Sequence, residues 1–323
     1  MNKKLLCVAI NSVMIFTAQA YDQIPATAGF AGSVTLAVGS RSLKNNIAGA
    51  EVIDSLYSSP KTDSGTEVGP GLELSYTFIG SRTQLFACTE HGDQGDLGAG
   101  IRQGLGNLGN LRASLLLSGG DEVWKDPYAV GVERDDTETS GTGMIFGWEH
   151  IFESDFDITY SQRSIEVDDE FSGTALRLTP AQRELLNREG DEKTLAVSYH
   201  WMPSSVHLIT PSLSYVNRNL DGGAMAMDGM QFDLSYAYLG LQGWELGAHL
   251  TSSALKSDDV NPIFAKKQDL DSYALGLEAT YLRPFNLPNW ELSAGLYYSK
   301  DNSNIKFYEG ESQGIDLAMT YTF

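Results

Sequence analysis

Gln313-Gly-Ile-Asp-Leu-Ala-Met-Thr-Tyr-Thr-Phe323 ends the chain, and its reading decides the fold. Ile315, Leu317, Met319, Tyr321 and Phe323 are apolar; Asp316, Ala318, Thr320 and Thr322 between them are polar or small. Alternation with a period of two describes a β-strand with one apolar and one wet face. Such a strand, left unfinished, would present an open edge that invites pairing with other chains. A closed barrel removes the edge, because the last strand pairs with the first.

Working back from this end, the same unit recurs. Phe30, Gly32, Val34, Leu36 and Val38 alternate with Ala31, Ser33, Thr35 and Ala37; Val68, Pro70, Leu72, Leu74, Tyr76 and Phe78 alternate with Glu67, Gly69, Gly71, Glu73, Ser75 and Thr77. Long polar connections and tight turns then follow one another along the chain, the layout of a membrane barrel with long outer loops and short periplasmic turns. The rule predicts fourteen strands: 29–40, 67–78, 83–90, 97–106, 111–119, 141–150, 155–165, 193–202, 206–216, 230–239, 244–253, 272–282, 290–299 and 314–323. Most are near the ~9–11 residues a tilted strand needs to cross a bilayer. In 83–90, Leu85 and Ala87 compete with Phe86 and Cys88 for the outer face, and losing that strand with a neighbour would leave twelve.

Both ends fit export to an outer membrane. Met1-Asn-Lys-Lys, the apolar run Leu5–Phe16 and the small-x-small Ala18-Gln19-Ala20 read as a cleaved signal peptide over 1–20, leaving one domain over 21–323. The ending resembles the C-terminal strand of bacterial outer-membrane barrels, so Tyr321 and Phe323 are expected to be read by the barrel-assembly machinery after periplasmic chaperones deliver the chain. One cysteine, Cys88, follows the leader, which rules out an internal disulfide framework. The net charge of −20 argues against nucleic acid as a partner. Mean hydropathy of −0.20 suits a barrel, in which half of each strand faces water.

Aromatics give an independent check. Trp148, Trp201, Trp244 and Trp290 each lie beside an expected short turn, with Tyr76, Phe78, Phe156, Tyr199, Tyr238, Tyr281, Tyr321 and Phe323 at the same level. Amphipathic rings collect at a membrane–water boundary, whereas a soluble β-sandwich gives them no reason to gather at one end of every hairpin. In the long connection 166–192, Thr179-Pro-Ala-Gln182 has the form of a capping box with Pro at the first helical position, and Gly190 reads as a stop; a short helix over 180–189 is expected beside the mouth.

Several loops carry a family likeness: Ile53-Asp-Ser-Leu-Tyr-Ser-Ser-Pro60, Glu122-Val-Trp-Lys-Asp-Pro-Tyr128 with Gly131-Val132, Asp221-Gly-Gly-Ala-Met-Ala-Met-Asp-Gly229, Lys267-Gln-Asp-Leu-Asp-Ser-Tyr273 and Asp301-Asn-Ser-Asn-Ile-Lys-Phe-Tyr308. They resemble the family catalogued as domain of unknown function 2860 through nearly all of the chain after the leader. The resemblance implies an outer-membrane barrel in contact with lipid and lipopolysaccharide, and it supplies no site residues.

Enzymatic barrels hold a nucleophile, a histidine and a carboxylate or amide together near the outer rim. Of His91, His150, His200, His207 and His249, three lie near periplasmic turns and His249 is mid-strand; no such cluster suggests itself, and no enzyme is expected. Asn217, Asn219 and Asp221 alternate before Gly222, and Asp228 falls at the twelfth place, which resembles a calcium loop. An Asx-rich hairpin loop accounts for the same residues without a metal. Otherwise no cofactor is expected. The acidic run Glu133-Arg-Asp-Asp-Thr-Glu138 could help bridge lipopolysaccharide through divalent ions, although such runs are usually solvated faces. Gly98, Gly100, Gly104 and Gly106 form a period-two stripe that makes one thin strand face.

Residues opposite the apolar faces must line the interior. These include Glu67, Glu73, Glu149, Asp157, Asp233, Glu245, Glu278, Glu291 and Asp316, against Arg102, Arg112 and Arg163. An arginine or lysine facing lipid at the midplane costs ~2–4 kcal/mol, so charges turn inward. Barrels of eight strands are filled and those of 16–18 hold an aqueous channel. Fourteen strands with an acidic lining point to a narrow, cation-preferring channel for small solutes, or to a closed barrel that acts through its loops.

Overall fold

The structure, a computed structural model, describes residues 24–89 and 97–323. The leader over 1–20 and His91 lie outside the described residues. Strands β1 (Gly29–Lys44), β2 (Thr62–Phe78), β3 (Thr83–Thr89), β4 (Leu97–Gly104), β5 (Asn110–Trp124), β6 (Asp136–Glu149) and β7 (Phe156–Val167) make the first half. Then come α1 (Pro180–Glu184), β8 (Gly190–Tyr199), β9 (Trp201–Ser204), β10 (His207–Leu220), β11 (Met227–Leu241), β12 (Trp244–Ser257), β13 (Asp269–Leu282), β14 (Trp290–Ser303) and β15 (Gly310–Thr322).

Each strand pairs antiparallel with its sequence neighbours, and β15 returns to β1 in register from Ser33↔Thr322 to Lys44↔Glu311. β8 and β9 both pair with β10 and are two halves of one crossing strand, interrupted at His200, whose backbone N–H donates to the Asp155 carbonyl (2.9 Å). The result is a closed fourteen-stranded barrel. Its seam closes on the last residue: Phe323 and Gly32 exchange both backbone hydrogen bonds, at 2.9 and 3.0 Å. A Cβ on Gly32 would lie 3.0 Å from the Phe323 ring and would collide with the Glu73 carbonyl, so glycine is required there.

The alternation holds. Leu36, Val38, Leu72, Leu115, Leu117, Leu275 and Leu317 stand on the outside, while Thr77, Ser114, Ser214, Thr251, Thr280 and Thr320 are buried within. In β3, Leu85 and Ala87 face out, and Phe86 turns inward over Gly100, where a Cβ would strike its ring at 2.6 Å. The glycine stripe of β4 therefore makes room for an aromatic on the lumen side. At the turn end, rings pair as Trp290–Tyr321 (5.1 Å between centroids), Trp244–Tyr281 (4.8 Å), Phe30–Tyr76 (4.7 Å) and Phe156–Tyr199 (4.7 Å). They form the aromatic belt of a membrane–water boundary.

Two expectations are corrected. Strands run further on the loop side than the apolar pattern marks: β5 continues to Trp124 and β6 begins at Asp136. The hydrogen-bonded ladder persists above the lipid, where outward residues need not be apolar. The helix is also shorter than 180–189. Thr179 and Gln182 form the capping box, but α1 ends at Glu184, because the next turn draws Leu186 into full burial. Gly190 opens β8 at φ +141° instead of stopping the helix.

Candidate functional site

Two features could carry function: the charged lumen, and a cap built by the long loops over its outer end. In the lumen, some charges are matched. Arg102 is buried against Glu149 (2.8 Å) and donates to Gln84 Oε1 (3.1 Å). Arg102 and Arg112 both lie over the Phe86 ring, at 5.9 and 5.2 Å from its centroid. Higher up, Glu192 holds Arg163 (3.2 Å) and Arg218 (2.7 Å), and Arg41 reaches Glu67 (3.9 Å). At the turn end, Asp157 accepts from the His150 backbone (2.7 Å) and meets His200 Nε2 (2.9 Å). Glu73 lies on the inward face of β2 opposite Ser33 and Cys88.

Other charges are not matched. Among the described residues, no salt bridge reaches Glu245, Glu278, Glu291 or Asp316, which stand on the consecutive strands β12 to β15. Glu278, Gly295 and Asp316 share one line across β13, β14 and β15, and the missing Cβ of Gly295 lets the Asp316 carboxylate lie over it. Glu278 accepts from Thr280 Oγ1 (3.1 Å), which also meets Ser293 Oγ (2.9 Å). In the ring of fourteen, β12 and β13 lie seven strands from β4 and β5, so this acidic wall faces Arg102 and Arg112 across the lumen.

Arg41, Glu192, Arg218 and Asp301 are inward residues that the sequence reading missed. All four stand beyond the apolar stretch of their strands, where nothing in the outward residues reveals that the ladder continues. Continuing the inward parity of β1, β8, β10 and β14 would have found them.

The structure also assembles a serine, a histidine and a carboxylate that the sequence did not suggest. Ser235 Oγ meets His249 Nδ1 (3.0 Å), Thr251 Oγ1 meets His249 Nε2 (2.9 Å) and donates to Asp233 Oδ1 (2.8 Å), and Gln231 donates to Asp233 Oδ2 (2.8 Å). Acyl transfer also needs free donors for an oxyanion. The strand around Ser235 is paired on both sides, to Thr210 and His249, so its backbone N–H groups are spent in the ladders. The array is a satisfied polar network that fixes His249.

For calcium, Asn217 and Asp228 pair directly across β10 and β11, and Asn219 pairs with Asp191; Asp221 follows the end of β10. Asp228 already accepts from the Tyr215 hydroxyl (2.9 Å). Among the described residues, no group of three His, Cys, Asp or Glu is placed to hold a metal ion.

The cap joins connections from around the whole barrel. Ile53, Tyr128, Leu186, Ala224, Ile305, Phe307 and Tyr308 form one buried cluster, with Leu56, Leu178, Met225, Ile263 and Phe264 packed against it. Tyr128 stacks on Phe307 at 5.0 Å, and Asn261 Nδ2 donates to the Tyr308 hydroxyl (2.8 Å). Burial pushes the Tyr308 phenol up to about 12 and raises that of Tyr128. Arg134 staples two loops: its guanidinium donates to the carbonyls of Asn46 (2.6 Å), Pro127 (2.8 Å) and Ala50, and lies 4.7 Å from the Trp124 ring centroid. Burial lowers its pKa to about 10, so it stays charged at neutral pH. A second cluster, Ala48, Val123 and Val167 with Leu43, draws the first loop inward against β5 and β7.

The chain belongs to the family described as protein of unknown function (DUF2860), which matches residues 29–322. No curated protein matches it. Among solved structures, the CymD monoaromatic hydrocarbon channel is similar at 10% identity and a TM-score of 0.51, over 92% of this chain and 89% of that one. A Pseudomonas aeruginosa FadL homologue gives 10% identity and 0.47, over 91% and 90%. An anion-selective porin from Comamonas acidovorans gives 12% and 0.42, over 92% and 99%. The shared feature is the fold of outer-membrane barrels.

Proposed function

We propose that this DUF2860 barrel is a narrow outer-membrane channel for small solutes that prefers cations. One observation carries the reading: four carboxylates on β12 to β15 stand in the lumen without a basic partner. A confined space with low-dielectric walls focuses their field. The screening length is ~8 Å at 0.15 M salt, so the bias of a narrow pore survives in physiological medium. Opposite, Arg102 is matched by Glu149 and Arg112 keeps its charge over the Phe86 ring, so the four carboxylates outweigh it and set the sign. Export through a cleaved leader and recognition of Tyr321 and Phe323 by the assembly machinery belong to the same reading.

The test is planar-bilayer conductance of the purified protein with a KCl gradient. A reversal potential on the cation side supports the proposal, and one on the anion side refutes the selectivity. The packed cap favours a second reading, in which the lumen is closed and the loops present a rigid structural or adhesive surface. Absence of any conductance would favour that alternative.

A further inference from the structure

The connection between β7 and β8 does more than help build the cap. On its exposed side, Glu170 to Ser172 and α1 frame a pocket of about 240 Å³. That is below the ~300–1,000 Å³ of a drug-sized site, so it suits one small ring. Its floor is rigid. Asp126 accepts from the Gly173 N–H (3.0 Å) and the Ala175 N–H (2.7 Å), and the Phe171 N–H donates to the Lys125 carbonyl (3.0 Å). Leu186, fully buried in the cap core, pins the end of α1. Arg188 joins Glu170 (2.5 Å) and donates to the Lys125 carbonyl (3.3 Å). A site held in this way loses little freedom when it binds.

The lining has a definite chemistry. Phe171 is 49% exposed although its backbone is fixed, and it offers an apolar surface together with Pro180. Beside them stand Arg183, Glu184 and Asn187. Arg183 Nη1 donates to Thr174 Oγ1 (3.3 Å), and Asn187 Oδ1 accepts from the Glu189 N–H (2.9 Å), which leaves its NH2 as a donor. Glu170 is neutralised by Arg188, and Arg183 and Glu184 bring one charge of each sign, so the lining has no net charge. The buried Ser172 hydroxyl, on the same wall, and Arg188 Nη1, beside Glu170, have no hydrogen-bond partner among the described residues. This side of the pocket therefore carries polar groups that the chain does not satisfy, which folded proteins seldom leave.

An apolar face beside mixed donors and acceptors, with no net charge, describes one class of ligand. A sugar ring has C–H faces that pack on an aromatic. Its hydroxyls both donate and accept, so they serve a guanidinium and an amide NH2, which only donate, and a carboxylate, which only accepts. An ionic solute would find no net field to hold it, and a wholly apolar one would strip water from Arg183 and Glu184 without replacing it. We propose that this pocket binds a neutral saccharide through one pyranose ring, its C–H face on Phe171 and Pro180 and its hydroxyls on Arg183, Glu184 and Asn187. The site belongs to the loop and not to the lumen, so it does not depend on the channel reading above.

The test uses the full-length barrel in an amine-oxide detergent, which carries no sugar, with heat-modifiable migration as the check on folding. The methyl pyranosides of glucose, galactose and mannose are titrated by saturation-transfer NMR. At least one is expected to show transfer to its ring protons. Phe171→Ala and Glu184→Gln should each weaken that binding about tenfold, through loss of an aromatic face and of a charged hydrogen bond. Lys256→Gln, exposed on β12, should leave it unchanged. No transfer to any of the three sugars would overturn the proposal. So would equal binding by wild type and both loop variants, or the same loss in Lys256→Gln, since the sugar would then sit elsewhere. A methyl glucuronide that binds more tightly than the neutral sugars would overturn the neutral class.

Discussion

The hydroxyls of Tyr128 and Tyr308, 180 residues apart in the chain, meet at 2.6 Å in the centre of the loop cap. Both rings are buried, so each hydroxyl needs a partner, and Asn261 supplies another donor for Tyr308. Three loops are thereby tied at one point. Tyr308→Phe is expected to leave the Tyr128 and Asn261 groups short of a partner, at a cost of about 1–3 kcal/mol. Faster proteolysis of the loops, with unchanged heat-modifiable migration of the barrel, is the measurement.

Phe307→Ala should do more. The ring is fully buried between Tyr128, Phe264 and Tyr308. Removing it costs about 3–5 kcal/mol of local stability. Hydrogen exchange should show the cap amides losing protection while the strand amides keep theirs. Equal loss in both would mean that the cap and the barrel unfold as one unit.

Phe323→Ala, or deletion of Tyr321 to Phe323, should permit export and impair insertion. The deletion removes the backbone exchange with Gly32 as well as the ring over it, so it should be the more severe. Normal amounts of heat-modifiable barrel in the outer membrane of either variant would contradict this.

Neutralising Glu245, Glu278 and Asp316 together to Gln, Gln and Asn should shrink the cation preference, most clearly in dilute salt where screening is weakest. The same change at Glu149 should act differently, because it releases the buried Arg102 charge. Reversal potentials of the two variants, compared at 0.1 and 1 M KCl, check both expectations.

If calcium binds over 217–229, calorimetry on refolded protein should show a site that Asp221→Ala with Asp228→Ala abolishes. Identical titrations would leave Asp228 with the role the structure gives it, as acceptor for Tyr215.

Much of the barrel was legible because lipid imposes a simple code. Outward residues such as Leu36, Leu72, Leu275 and Leu317 must be apolar, and the chain declares its strands wherever that demand applies. Even the doubtful strand 83–90 stands, with Phe86 inside because Gly100 and two arginines receive it. Above the lipid the code falls silent. Arg218 and Glu192 continue their strands with no apolar neighbour to mark the phase, so their pairing was invisible. The cap was invisible for another reason: Ile53, Tyr128, Leu186 and Phe307 come from four separate connections, and each looks like an isolated apolar residue in a polar loop. Only the closed ring brings them together, whereas Ser235, His249 and Asp233 meet through the register of a single hairpin, β11 with β12.

The cap also carries information about the order of events during biogenesis. Its core draws on connections that follow β1, β5, β7, β10, β12 and β14, and its long-range contacts become probable only when those strands hold their places around the ring. Until the β1–β15 seam has joined, Phe307 and Tyr128 have nowhere to hide, and a half-assembled chain displays a sticky outer end. Burial of the cap is thus a chemical record that the ring has been completed. Surface proteases should distinguish finished molecules from stalled ones by whether they cut near Tyr308.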